Sequence, residues 1–554
     1  MQNKITLSCG FACLFLLFVS CKPEARLQAD TVLLNGTIWT GNPTQANARA
    51  LAIKGDTIVA VGRNASIKSY IGDSTRVIDL AGKFVAPGFI DSHVHFVTGG
   101  FRLSSVQLRD ARSPEEFIRR IADFASQQEP GIWITGGDWD HENWGGTLPE
   151  RSWIDSVTRQ NPVWINRLDG HMALANTAAL RAARISKNVK DIAGGEVVRN
   201  AGGELSGIFK DNAMIWVDKA EPEPNEAQQD RALQAAMEYV AAQGVTSVHH
   251  MSGYLEVLER FHDADKLITR VYAGMPIYRW KELANKIQQQ GRGDKWLRIG
   301  NLKGFMDGSL GSHTAAFFQP FSDSPADSGF LVSTPEEMYR WISSADSAGL
   351  QPMVHAIGDR AISKLLDIYA RVTEENGPRD RRFRIEHAQH IAPKDFARFR
   401  ELGIIASMQP YHAIDDGRWA EKVIGPERIK TTYAFRSLLD SGSRLAFGSD
   451  WFVAPPTPLE GMYAAVSRRT LDGQHPDGWV PEQKISLEEA LKAYTIDAAY
   501  ASFEEHIKGT LEVGKLADLV VLDRNLTRIS PADIRETMVE LTMVGGKIVY
   551  QREE

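Results

Sequence analysis

Lys83-Phe-Val-Ala-Pro-Gly-Phe-Ile-Asp-Ser-His-Val-His95 is an apolar run that ends in two histidines, His93 and His95, one residue apart. Alternate side chains of an extended strand project to the same side, so both imidazoles face one way at its end. One strand can hold a divalent metal in this manner. Taken alone, a His-x-His pair is a weak signal that chance or a packed pair of histidines accounts for more readily, so its meaning depends on what other strand ends supply.

After His95 the chain alternates between strand-like and helix-like patterns. Strand candidates are 244–250, 268–274, 298–307, 351–357, 382–387, 404–409 and 443–450, and helical patterns at 335–348, 360–375, 393–402 and 436–441 lie between them. With the His-x-His strand there are eight. Alternation of this kind predicts a parallel sheet, and eight units predict an α/β fold of (β/α)8 TIM-barrel type. About 145 residues separate the first strand from the second, far beyond an ordinary barrel connection. They carry strands at 133–139 and 163–167, a Gly-rich hairpin at 194–207 and a long helix at 225–243. The helix is expected to be the first barrel helix, and the rest, about 100–224, an insertion over the C-terminal face that selects substrates.

Both chain ends have β character. Segments 31–41, 49–62 and 76–80 read as strands near the start, and 517–523 and 539–550 near the end. They are expected to pair into one composite β-sandwich from residues 30–85 and 507–554, with the barrel domain at 86–506 between them.

Of the 554 residues, 43% are hydrophobic and 24% charged, as in a folded globular protein. A net charge of −7 and a pI near 6.1 give no electrostatic footprint for nucleic acid. Lys4 precedes an apolar run over 5–19, too short for a comfortable membrane span and suited to a secretory signal peptide at 1–21. Ser20 directly before Cys21 resembles a bacterial lipobox, which makes Cys21 the lipidated N-terminus of an exported, membrane-anchored lipoprotein. An ordinary signal peptide cut nearby is the alternative. The three cysteines are Cys9, Cys13 and Cys21, so the body offers neither a disulfide nor a thiolate ligand. Any metal must sit on nitrogen and oxygen.

The candidates for such a site fall at strand ends. His93 and His95 end the first strand, His355 lies on the fifth, His387 ends the sixth, Asp450 ends the eighth, and Lys303 lies on the fourth just before Asp307. Singly, His355 or His387 fits a satisfied core histidine and Asp450 a helix cap. In a barrel these ends converge on one mouth, so residues far apart in sequence can share an ion.

Five further motifs carry a resemblance. Gly88-Phe-Ile-Asp-Ser-His-Val-His95, Val354-His-Ala-Ile-Gly-Asp-Arg-Ala361, Arg384-Ile-Glu-His-Ala-Gln389, Ser407-Met-Gln-Pro410 and Gly448-Ser-Asp-Trp451 resemble the amidohydrolase superfamily, in particular its YtcJ-like group, which includes N-substituted formamide deformylase. Asp169-Gly-His-Met-Ala-Leu-Ala-Asn176, Asp307-Gly-Ser-Leu-Gly-Ser312 and Gly514-Lys-Leu-Ala-Asp-Leu-Val-Val-Leu522 match as well. The resemblance implies that His93, His95, His355, His387 and Asp450 are metal ligands. It also implies that Lys303 is the lysine that many members carboxylate to bridge two metals. The alternative is a single-metal site with Lys303 as a charged neighbour.

The activity so implied is hydrolysis of an amide-type C–N bond, N-formyl or N-acyl amines included, through a metal-activated hydroxide. Zinc suits the donor set. Asp450 serves as proton acceptor and donor, and His171 polarises the carbonyl or supports the cap as a loop residue. Expected partners are a small amide-type substrate and a membrane, with a homo-oligomer left open. The rival functions are an aminohydrolase on the same site and a catalytically silent, anchored binding lipoprotein. His249 and His250 read as structural. Trp139-Asp-His-Glu-Asn-Trp144 reads as cap packing or the lining of a hydrophobic pocket, and Gly311-Ser-His-Thr314 as a loop that can touch substrate.

Overall fold

The computed structural model describes residues 27–251 and 253–553; the leader and Cys21 lie outside them. At its centre, eight parallel strands follow one another in chain order: β1 (Phe89–Val94), β2 (Val245–His250), β3 (Arg270–Pro276), β4 (Leu297–Phe305), β5 (Gln351–Ala356), β6 (Arg384–His387), β7 (Ile405–Met408) and β8 (Arg444–Phe447). Every residue of β1, β2, β5, β6 and β7 is buried, as strands covered on both faces require. The ring closes just past β8, where Asp450 N donates to His93 O and His95 N to Trp451 O, both at 2.7 Å. Gly448 permits that approach, since a Cβ there would lie 2.4 Å from His93 N. Asp91 pins the same seam by accepting from Ser449 N at 2.9 Å and His93 N at 3.2 Å. All eight expected strands are present.

The insertion forms a six-stranded sheet of its own between β1 and β2, from Val106–Gln107 to Leu205–Asp211. The helix Glu226–Ala242 follows it. Asn225 and Gln228 close a capping box at its start, which satisfies two otherwise orphaned N–H groups.

The chain ends share a sheet as expected: Phe84–Pro87 pairs antiparallel with Leu519–Leu522, register Ala86 to Val520. One expected strand, 31–41, is two. Asn35 adopts φ 59°, and the halves Thr31–Leu34 and Thr37–Trp39 enter different sheets. The 49–62 segment likewise folds into a hairpin, Ala50–Lys54 against Thr57–Gly62.

A buried bidentate pair joins this module to the barrel. Arg270 on β3 donates Nε to Asp518 Oδ2 at 2.7 Å and Nη2 to Asp518 Oδ1 at 3.0 Å. Removing one partner leaves an uncompensated buried charge. We therefore expect Asp518→Ala to lower unfolding stability by about 3–5 kcal/mol, read from the denaturant midpoint at unchanged slope. A loss below about 1 kcal/mol would mean that the pair is solvated like a surface bridge.

Candidate active site

The C-terminal ends of the barrel strands gather the expected donors. His93 and His95, two apart on one strand, both turn to Asp450: its Oδ1 lies 3.2 Å from His93 Nε2 and 3.3 Å from His95 Nε2. Lys303 Nζ lies 3.1 Å from His93 Nε2. The His355 and His387 rings stand 4.5 Å apart, and the His387 ring is 4.9 Å from that of His93. Asp450 and His387 hold φ of 59° and 71°. Non-glycine residues there carry backbone strain of about 1 kcal/mol or more, which the surrounding structure has to offset.

Burial dominates the electrostatics. It pushes His95, His355 and His387 below the ordinary imidazole range, so these rings are neutral and able to ligate. Burial alone would raise the Asp450 carboxyl, but the facing His93 and His95 rings hold it well below the usual carboxylate range. Burial also draws Lys303 down to about 8.

Two triads have donor atoms close enough to share an ion: His93, His95 and Asp450, and His387, His412 and Asp450. The donor set fits a divalent cation on a further ground. Two buried ring nitrogens, His387 Nδ1 and His412 Nε2, have no hydrogen-bond partner, a costly arrangement unless something else engages them. His355 commits Nε2 to the Gly308 carbonyl at 3.0 Å, which leaves Nδ1 for an ion.

His171 arrives from the insertion, on the turn between Val163–Arg167 and Met172–Ala175. Its ring centroid is 4.9 Å from that of His355, and Nδ1 bonds Asp211 Oδ1 at 2.6 Å. Asp169 ties this turn to the loop after β4, accepting from Ser309 Oγ at 2.5 Å and Arg167 Nη1 at 2.6 Å. The cleft above the donors holds about 530 Å3 of empty space, part of it open solvent, and is lined by Arg167, His171, Ser309, Asp415, Asp416 and Trp419 among others.

Acids, histidines and Arg167 share that wall with Leu168, Leu310, Ile357 and Val453, and of the two readings left open for 139–144 the structure takes cap packing. Trp139 and Trp144 pack into the insertion core, and from their segment it is Asp140 that reaches the cleft. His313 turns away to Asp323 at 3.0 Å, leaving Ser309 and Gly311 at the cleft wall. His250 bonds Phe96 N and the Gly253 carbonyl, and His249 meets Arg384, so both play the structural part expected.

Sequence reasoning missed three residues. His412 lies just beyond the Ser407–Pro410 motif, on the helix Pro410–Asp416. Glu386 stands inside a motif but bonds His93 Nδ1 at 2.5 Å across the barrel. Such a contact fixes the ring that offers its other nitrogen to a metal. Burial by itself would raise Glu386, yet Arg384 and His93 bring it to about 2. Asp211 carries no motif signal and shows its partnership with His171 only in three dimensions.

A closed parallel barrel with nitrogen and oxygen donors at its C-terminal mouth defines a barrel hydrolase of the metal-dependent class. The profile described as Amidohydrolase family matches residues 76–550, and the chain belongs to that family. It is 40% identical over 546 residues to Protein LONG AFTER FAR-RED 3 of Arabidopsis thaliana, covering 96% of this chain and 93% of that protein. It is 28% identical over 552 residues to N-substituted formamide deformylase of Arthrobacter pascens, covering 94% and 98%. Among solved structures, an uncharacterized metal-dependent hydrolase from Pyrococcus horikoshii superposes with a TM-score of 0.74 at 29% identity, over 91% of this chain and 99% of that one.

Proposed function

We propose that this hydrolase cleaves the C–N bond of an amide-type substrate, an N-formyl or N-acyl amine. The observation that carries the reading is the single carboxylate oxygen, Asp450 Oδ1, set between the imidazoles of buried His93 and partly exposed His95 at the mouth. The name of the Arthrobacter relative supports the substrate class. Residues to hold the cation are His93, His95, His355, His387 and Asp450, with Lys303 as a bridge if carboxylated. A divalent cation bound there, zinc by donor type, lowers the pKa of a bound water to about 7 and polarises a carbonyl.

Asp450 takes the proton as the water oxygen bonds to the carbonyl carbon, then returns it to the nitrogen as the C–N bond breaks. Amine and carboxylic acid are released. His171, with Nδ1 held by Asp211, presents Nε2 to the carbonyl oxygen. Asp211→Asn should lower kcat by roughly 10²-fold with little change in KM. An equal rise in KM with kcat intact would make the pair a substrate-binding contact instead.

The test is a panel of N-substituted formamides and N-acyl amines with the zinc-loaded protein, quantifying amine, carboxylate and ammonia. Equimolar amine and carboxylate support the reading, whereas no cleavage of these amides together with ammonia release from an amino-substituted heterocycle added to the panel assigns an aminohydrolase. The proposal extends to export and lipid anchoring at Cys21, supported by the apolar run before it and the cysteine-free body. No helix of the described residues is long and apolar enough to cross a membrane.

A further inference from the structure

A second cleft, with about 580 Å3 of empty space open to solvent, lies at the other end of the barrel and is lined by Tyr272, Arg292, Arg298, Arg379, Asp380 and Phe503 among others. Its three arginines come from separate places. Arg292 precedes β4, Arg298 lies in the first turn of that strand's pleat, and Arg379 precedes β6. Arg298 is five residues before Lys303 on β4, which puts the cleft about 17 Å from the catalytic donors at roughly 3.3 Å per residue.

The charge balance of this cleft is unusual for a protein of net charge −7. Among the described residues no carboxylate pairs with Arg292 or Arg298. Arg292 donates to the Gly349 carbonyl at 2.7 Å. Arg298 donates to the Ser502 carbonyl and lies over the Tyr272 and Phe503 rings at 5.4 and 5.7 Å. The acids nearby are already engaged. Asp380 pairs with Arg382, and Asp346 is shared between Arg379 at 3.4 Å and Arg381 at 3.1 Å. Burial lowers Arg292 below the ordinary guanidinium range, and Arg298 and Arg379 press it further in the same direction.

Carbonyl caps and ring stacking orient Arg292 and Arg298 without neutralising them, while Arg379 shares the single charge of Asp346 with Arg381. Like charges held together in a half-buried cleft repel, and a doubly charged oxyanion offsets two of them at once. The planar fork of arginine matches the oxygens of a phosphate group in bidentate fashion.

We propose that this cleft at the barrel floor is a binding site for a phosphate group, separate from the catalytic mouth, with Arg292, Arg298 and Arg379 as its ligands. The group can come from a free phosphate or small phosphomonoester, or from a phospholipid headgroup. The reading does not depend on the activity assigned to the mouth.

Thermal unfolding of the full chain with millimolar inorganic phosphate, against sodium chloride of equal ionic strength, tests it. Phosphate should raise Tm by about 2–4 °C. The increment, read for each variant against its own chloride control, should vanish in Arg292→Gln and in Arg379→Gln, where Arg381 still pairs with Asp346, but persist in Asp450→Asn, a change at the mouth. Co-sedimentation with phosphatidylglycerol vesicles, lost in the arginine variants, would assign the headgroup, and a phosphate increment without co-sedimentation the free anion. Absence of both effects overturns the proposal. So does an effect that survives in the arginine variants or disappears in Asp450→Asn.

Discussion

An Asp450→Asn protein is expected to retain part of its divalent ion and to lose about 10³-fold in kcat. The amide keeps the shape and one oxygen donor, so His93, His95, His355 and His387 still present their ring nitrogens. What disappears is the acceptor that lies 3.2 and 3.3 Å from His93 and His95 and moves the proton from water to the leaving amine. Metal content by plasma mass spectrometry and turnover of the best panel amide separate the two effects. Turnover within about threefold of the parent would remove Asp450 from the proton pathway. Complete loss of metal would make it chiefly a ligand.

The second large effect concerns Lys303. An ammonium cannot ligate, so a two-ion site depends on conversion of this amine to a carbamate. Burial favours the neutral amine by drawing its pKa to about 8, and carboxylation needs that form. Lys303→Ala should therefore bind about one ion per chain instead of about two and lose roughly 10²-fold or more in kcat. Millimolar acetate or propionate should restore part of it by supplying the missing oxygens. Reconstitution of metal-stripped parent protein with bicarbonate should proceed faster above about pH 8 than in mild acid. Unchanged metal content and no rescue would establish a single-ion site with Lys303 as a charged neighbour.

Much of the architecture was legible because barrel strands carry a strong local signal. Buried runs such as Phe89–Val94 and Gln351–Ala356 alternate with amphipathic helices, and the site residues sit at the C-terminal ends of those runs. The ends of the chain were legible as strands but not as separate sheets. The division at Asn35 depends on one residue with φ 59°, which a β-rich sequence does not announce.

The site was legible where its residues occupy strand ends and obscure where they do not. His412 sits on a helix beyond β7, outside the pattern that identified His93, His355 and His387. Glu386 lies in a quoted motif, yet its contact with His93 spans 293 residues and exists only once β1 and β6 share a barrel. The same holds for His171, on a turn of the insertion, and Asp211, at the end of one of its strands. The arginines of the barrel floor come from scattered segments whose composition looks ordinary.

Amine release by metal-stripped protein, titrated with zinc in the presence of an N-substituted formamide, tests the central claim most directly. The account predicts no release without the ion and a rise to a sharp breakpoint at about one to two zinc ions per chain. Release that is already maximal in the stripped protein, or that never appears at saturating zinc, would contradict it.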